Sequence, residues 1–190
     1  MKEKTLFVAI STQKGGIGKT ALTVLLSSYL HYSRGYNVAV VDCDYPQYSI
    51  NGMRLRDKRS VTEDPHYKSL FYKQSKTLNK RAYHIEVSRA PEAIETAKKI
   101  VRESEAPLDF VFFDLPGTMN AKGVLSTLAQ MDYIITPITA DRMVLESSLE
   151  YAGLINEQII TTGKGNIKSL HLLWNLVDAR ESNHLYDVYE

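Results

Sequence analysis

The sequence predicts an α/β fold: a doubly wound, mostly parallel sheet with helices on both faces, three layers deep. Short apolar runs alternate with segments of helical periodicity, as strands joined by crossover helices do. Two of those runs, "NVAVVD" (37–42) and "DFVFFD" (109–114), are apolar at nearly every position. That is the pattern of strands covered on both faces. At 190 residues, 44% apolar and 24% charged, the chain is long enough for one domain with a full core, read as a single unit over 1–190.

The elements follow in order. "TLFVAI" (5–10) reads as a buried strand, and a glycine-rich loop leads from it into a helix, "KTALTVLLSSYLHYS", stopped by Arg34-Gly35. "NVAVVD" is the second strand. From Gln47 to about Lys80 the periodicity supports one or two helices with a loop near "TEDPH". "AYHIEVS" (82–88) is a weaker strand, "APEAIETAKKIVRES" (90–104) a helix and "DFVFFD" a buried strand. The loop "LPGTMN" then precedes a helix over about 121–130. "DYIITPI" (132–138), a helix over about 142–161 and "SLHLLWNLV" (169–177) complete the pattern.

Composition removes several function classes. No apolar run approaches the roughly 18 residues of a membrane span. The start, "MKEKTLFVAI", lacks the longer apolar segment of a signal peptide. Cys43 is alone, which excludes a disulfide framework and a cysteine metal site. A cytoplasmic protein is expected. The net charge of +1 hides an asymmetry: ten basic residues against four acidic ones over 51–89, then eight against fifteen from Ala90 onward. A basic insertion of this kind marks either contact with a polyanion or a solvated surface.

In open parallel sheets ligands sit beyond the carboxyl ends of the strands, where Asp42, Asp114 and Asn175 all fall. The glycine loop lies on the same rim. Its sequence, "STQKGGIGKT" (11–20), ends on Gly18, Lys19 and Thr20 like the phosphate loop G-x-x-x-x-G-K-[ST]. The first glycine of that pattern is replaced by Gln13, and Lys14 follows. Gly15, Gly16 and Gly18 allow the backbone N–H groups to turn toward phosphate oxygens, with Ile17 and Ala21 in the same cradle. Lys19 is placed to reach β- and γ-phosphates, and the Thr20 hydroxyl to ligate Mg²⁺.

"KGGIGKT" resembles the deviant Walker A signature of the ParA/MinD-like P-loop ATPases, and the likeness covers most of the chain. "VVDCDYPQYS" resembles the family's D-x-D motif with its following Pro-Gln, and "DFVFFDLPG" its Walker B strand. "LLWNLVD" is similar to the strand ending in the base-reading asparagine. The nearest likeness is to ParA-type partition proteins of plasmids and mobile elements. The resemblance implies ATP and Mg²⁺ as cofactors, a homodimer formed on ATP binding and slow, partner-stimulated hydrolysis. It implies Lys14 as the lysine reaching the partner's nucleotide, and Asp44 as the carboxylate orienting the attacking water. Asp42 and Asp114 would hold the metal through water, Gly117 would approach the γ-phosphate and Asn175 would bond the adenine edge. Non-specific DNA and a ParB-like stimulating protein are the implied partners, with no membrane.

The sequence departs from the family pattern twice. Tyr45 stands between Asp44 and Pro46, an extra residue able to turn Asp44 or Gln47 relative to the phosphate. The chain also ends soon after Asn175, where family members continue, so the C-terminal part of the fold is expected to be truncated. Of the competing readings, a MinD-like positioning ATPase needs a C-terminal amphipathic helix, and "NHLYDVYE" has no basic face. A metal-cluster carrier needs paired cysteines. A bacterial tyrosine kinase, suggested by Tyr186 and Tyr189, lacks an equivalent of Lys14. A GTP-using switch stays open through "NLVD" (175–178), a loose N-x-x-D motif. His31, His66, His84, His171 and His184 show no ligand spacing.

Overall fold

Apolar residues at every position of the central strands leave only one arrangement, burial from both sides. A computed structural model of the chain, describing residues 4–119, 121–178, 180 and 186, has it. Strands β1 (Leu6–Ile10), β2 (Val38–Asp42), β3 (His84–Val87), β4 (Phe110–Asp114), β5 (Tyr133–Ile138) and β6 (Ser169–Trp174) form one sheet. Their order is β3-β2-β4-β1-β5-β6, and every pair is parallel. The helices are α1 (Lys19–Ser28), α2 (Ser49–Glu63), α3 (Pro65–Leu78), α4 (Ala93–Glu103), α5 (Val124–Leu128) and α6 (Arg142–Ile155).

The two-residue period of each strand splits the core into two layers. Val8, Val38, Val40 and Phe112 pack with Val24, Leu26, Ile50 and Met53 of α1 and α2. Ala9, Ala39, Val41, Val111 and Phe113 pack with Ala93, Ala97, Val124, Leu128, Tyr151 and Ile155 of α4, α5 and α6. Full burial of a side chain like Phe113 contributes on the order of 1.5–3 kcal/mol. The alternation therefore sets which face each helix covers.

All the expected elements are present, with shifted ends. The stretch 47–80 resolves into a helical hairpin in which Asp64 accepts a hydrogen bond from the His66 N–H at 2.8 Å. Asp64 thus caps α3, and Pro65 takes its first position. The first helix changes to a π-turn over Tyr29–Ser33, and α6 does the same over Asn156–Ile160. The helix expected over 121–130 shrinks to Val124–Leu128. Gly123 precedes it at φ 86°, where a Cβ would lie 2.6 Å from the Pro91 nitrogen, so that turn serves the packing of the Pro91 segment. Strand β6 ends at Trp174, three residues early, and the backbone turns at Leu176, φ 57°.

Candidate functional site

The loop after β1 is built around two glycines in the left-handed region, Gly16 at φ 78° and Gly18 at φ 85°. At Gly18 space adds to the requirement, since a Cβ would come 2.7 Å from the Asn175 amide nitrogen. Ile17 is buried and pins the loop to the core. Its carbonyl accepts a hydrogen bond from Asn175 Nδ2 at 2.8 Å, while the Asn175 N–H donates to the Ile138 carbonyl at 2.8 Å. Asn175 therefore braces the loop from the end of β6.

Lys19 opens α1, half-buried, and its ammonium donates to the Lys14 carbonyl at 3.3 Å. A Cβ on Gly117 would stand 3.0 Å from that ammonium, so the glycine lets the loop after β4 close over the lysine. Burial pulls the Lys19 pKa down, and the charges of Asp114 and Asp44 oppose that. The Lys14 side chain is half-buried, and its ammonium has no hydrogen-bond or ion-pair partner among the described residues.

Next to Lys19 the register of β2 and β4 sets Asp42 directly beside Asp114. Both are fully buried. Thr20 Oγ1 donates to Asp114 Oδ2 at 2.8 Å, and the Asn51 N–H donates to Asp42 Oδ2 at 2.9 Å. The other oxygen of each carboxylate, Oδ1, has no hydrogen-bond partner. Burial pushes Asp114 up to about 7, with Asp42 and Asp44 adding to the rise and the Thr20 bond and Lys19 opposing it. Burial also raises Asp42, against its backbone hydrogen bonds. Two uncompensated carboxylate oxygens beside a hydroxyl would suit a hard divalent cation such as Mg²⁺, which takes oxygen ligands. Asp44 is half-buried, and its charge is felt by both Lys19 and Asp114.

Gln13 stands exposed at the loop tip, its amide 3.2 Å from Met119 Sδ. The structure thus brings Lys14, Gly15–Ala21, Asp42, Asp44, Asp114, Gly117 and Asn175 to one rim. Two contributors were missed from sequence: the Asn51 N–H on Asp42, and Tyr151, whose hydroxyl meets Ser11 Oγ at 2.5 Å beneath the loop. A backbone donor leaves no trace in a sequence, and Tyr151 sits in a helix read only for its apolar period. The basic segment is also thinner than its count. Lys80 donates to the Gly35 and Tyr36 carbonyls at 2.7 and 2.6 Å, and Arg54 donates to the Tyr83 carbonyl at 2.8 Å.

The sequence signature described as ATPase MipZ matches residues 6–147, which span β1 to the first turn and a half of α6. The chain belongs to the MipZ ATPase family. It is 26% identical over 191 residues to the chromosome-partitioning ATPase Soj of Thermus thermophilus, covering 95% of this chain and 73% of that protein. A plasmid partition protein of Borrelia burgdorferi bound to AMPPNP superposes with TM-score 0.63 at 18% identity, covering 98% of this chain and 82% of its own. MinD of Aquifex aeolicus, in its complex with MinC, gives TM-score 0.63 at 16% identity, covering 93% and 71%. Those two likenesses establish the fold. Membership of the MipZ ATPase family makes the protein a ParA/MinD-like P-loop ATPase, as the loop, D-x-D and Walker B motifs imply. Among the described residues no helix is long and apolar enough to cross a membrane. The Tyr189 of the kinase reading and the "NHLYDVYE" segment, apart from Tyr186, lie outside the described residues.

Proposed function

We propose that this MipZ-family chain is an ATP-driven dimerisation switch with slow, Mg²⁺-dependent, partner-stimulated hydrolysis, serving partition or transfer of plasmid or mobile-element DNA. The observation that carries the reading is the pair of buried, orphaned carboxylate oxygens on Asp42 and Asp114, beside the Thr20 hydroxyl and Lys19. Thr20 would hold the cation directly and Asp42 and Asp114 through water; when bound, Mg²⁺ supplies charge neutralisation for the β- and γ-phosphates. The backbone of Gly15–Thr20 and the amino end of α1 cradle the phosphates. Lys19 sits between them, and Gly117 brings its N–H over the γ-phosphate. Asp44 orients the attacking water. Phosphoryl transfer needs positioning and charge more than covalent help, which this set provides.

Lys14 would act across the dimer, since its unpartnered ammonium gains most from a facing triphosphate. The ATP-dependent contact with DNA is assigned to α3, which has no acidic residue and sets Lys68, Tyr72 and Lys76 at four-residue spacing on one exposed face. The stimulating protein is of ParB type. Asn175 would read adenine by extending its bracing contact to the base edge. The GTP alternative is disfavoured by Asp178, whose carboxylate is held by its own neighbour Arg180 at 2.6 and 2.9 Å.

Titration calorimetry tests the reading. The wild-type chain should bind a non-hydrolysable ATP analogue with Mg²⁺ and prefer it to the GTP analogue, and Lys19→Ala should abolish binding. Unchanged affinity in Lys19→Ala rejects the loop as the site. A preference for the GTP analogue, lost in Asp178→Ala, rejects the adenine assignment.

A further inference from the structure

The carboxylate of Asp44 makes no hydrogen bond among the described residues, so its direction is set by the backbone on either side of it. On the inner side the hold is firm: Asp42 accepts from the Asn51 N–H at 2.9 Å, the Tyr48 N–H donates to the Asp44 carbonyl at 2.9 Å and the Gly52 N–H to the Tyr48 carbonyl at 2.9 Å. On the outer side stands Tyr45, the residue inserted between Asp44 and Pro46, with 54% of its surface exposed. Its ring is covered by a guanidinium. Arg89 lies 4.6 Å from the Tyr45 centroid, and Tyr48 meets the same ring edge-on at 5.9 Å.

Arg89 reaches that position through the sheet. Parallel pairing sets Val87 of β3 beside Asp42, and the Ser88 N–H donates to the Asp42 carbonyl at 3.0 Å. Two residues beyond that pair in each segment come Arg89 and Asp44. The Arg89 carbonyl accepts from the Glu92 N–H at 3.0 Å and from Ser88 Oγ at 3.1 Å, so its backbone is anchored at the entry to α4. An arginine anchored through its backbone therefore faces a turn whose outer half is otherwise tied by the Tyr45 N–H, which donates to the Cys43 carbonyl at 2.8 Å, and by the edge of Tyr48.

We infer that Arg89 is a positioning residue for Asp44: stacked on Tyr45, it holds the 44–48 turn with the Asp44 carboxylate turned toward Lys19 and Asp114. The inference rests on the proposed role of Asp44 in orienting water. It makes the inserted tyrosine a brace, where the sequence suggested a disturbance. Tyr45 is peptide-bonded to Asp44, so a shift of the turn backbone at Tyr45 would carry the carboxylate with it. A planar guanidinium covers a ring face in a way that a lysine ammonium does not.

The test compares Arg89→Ala, Arg89→Lys, Tyr45→Ala, Tyr45→Phe and the double alanine variant by steady-state ATPase kinetics, thermal melting and amide exchange at Tyr48. Misplacing a reacting group costs roughly 10- to 100-fold in rate. Arg89→Ala and Tyr45→Ala should each lower kcat by about that factor, with KM and melting temperature unchanged, and should speed exchange of the Tyr48 amide. The double variant should lose no more than either single one, because both remove one contact. Tyr45→Phe keeps the ring and should behave as wild type, whereas Arg89→Lys should not rescue.

Normal turnover in Tyr45→Ala overturns the inference, as do losses that multiply in the double variant or unchanged Tyr48 exchange in Arg89→Ala. Rescue by lysine together with an indifferent Tyr45 also overturns it, and assigns Arg89 to phosphate charge instead. Failure of the underlying reading looks different: a wild-type chain that binds the ATP analogue yet never hydrolyses ATP removes the role of Asp44, and this inference with it.

Discussion

Asp114 lies between Asp42, Thr20 and Lys19 with one oxygen unbonded, and burial raises its pKa from 3.8 to about 7. The folded chain therefore holds that proton more tightly than the unfolded chain. Its stabilisation is complete below the unfolded value near 3.8 and is lost as pH rises through about 7. In Mg²⁺-free, nucleotide-free buffer the protein should melt about 2–4 °C higher at pH 6 than at pH 8, measured by circular dichroism. Asp114→Asn should flatten the difference; an equal pH dependence in that variant assigns it to other groups. Mg²⁺ requires the ionised carboxylate, so its affinity should run the opposite way and strengthen from pH 6 to pH 8.

Among the elements, the α2–α3 hairpin packs on the sheet through Ile50 and Met53 of α2, and α3 lies outside the core. Its second helix, α3, buries no residue, and its basic side chains Lys68, Lys73 and Lys76 are all exposed. Lys80 is different, since its ammonium holds the turn between the first helix and β2. Reversing Lys68, Lys73 and Lys76 to Glu should weaken binding of duplex DNA of any sequence by at least 10-fold, and should shallow the salt dependence as fewer counterions are released. ATPase turnover without DNA and melting temperature should be unaffected, because no core contact is removed. Fluorescence anisotropy at two salt concentrations measures it. Unchanged DNA affinity moves the contact off α3. Lys80→Glu should instead destabilise the fold, which is why it is left out of the set.

At the scale of the whole molecule the open question is whether one chain is a complete machine. Lys14 lies on the loop proposed to cradle its own chain's phosphates, and its ammonium has no partner among the described residues. Lys14→Ala should keep nucleotide binding by the monomer and lose ATP-dependent dimers and most hydrolysis. Asp44→Ala should keep binding and dimers while turnover falls by roughly 10²–10⁴-fold. Mixed together, the two inactive variants should recover part of the activity. One site of the mixed dimer retains its own Asp44 and receives Lys14 from the other chain. Sedimentation and ATPase assays on the mixture decide between this and a lysine that acts within its own chain, for which mixing recovers nothing.

What the sequence by itself determined is the part of the protein governed by local pattern. Unbroken apolar runs specified doubly covered parallel strands, and the order of strand, glycine loop and helix specified the turn that opens α1. Asp42 and Asp114 were legible because each ends such a run. Element ends were less so: β6 stops at Trp174, and Asn175 just beyond it holds the Ile17 carbonyl, a contact 158 residues distant in the chain. Only the tertiary structure decided which charges are available. Lys80 and Arg54 count as basic in sequence, yet their donors are spent on backbone carbonyls brought to them by the fold. The same holds for Tyr45, an irregularity in a motif until β3 sets Arg89 against its ring. Strand pairing chooses such partners, and the separation along the chain carries no record of them.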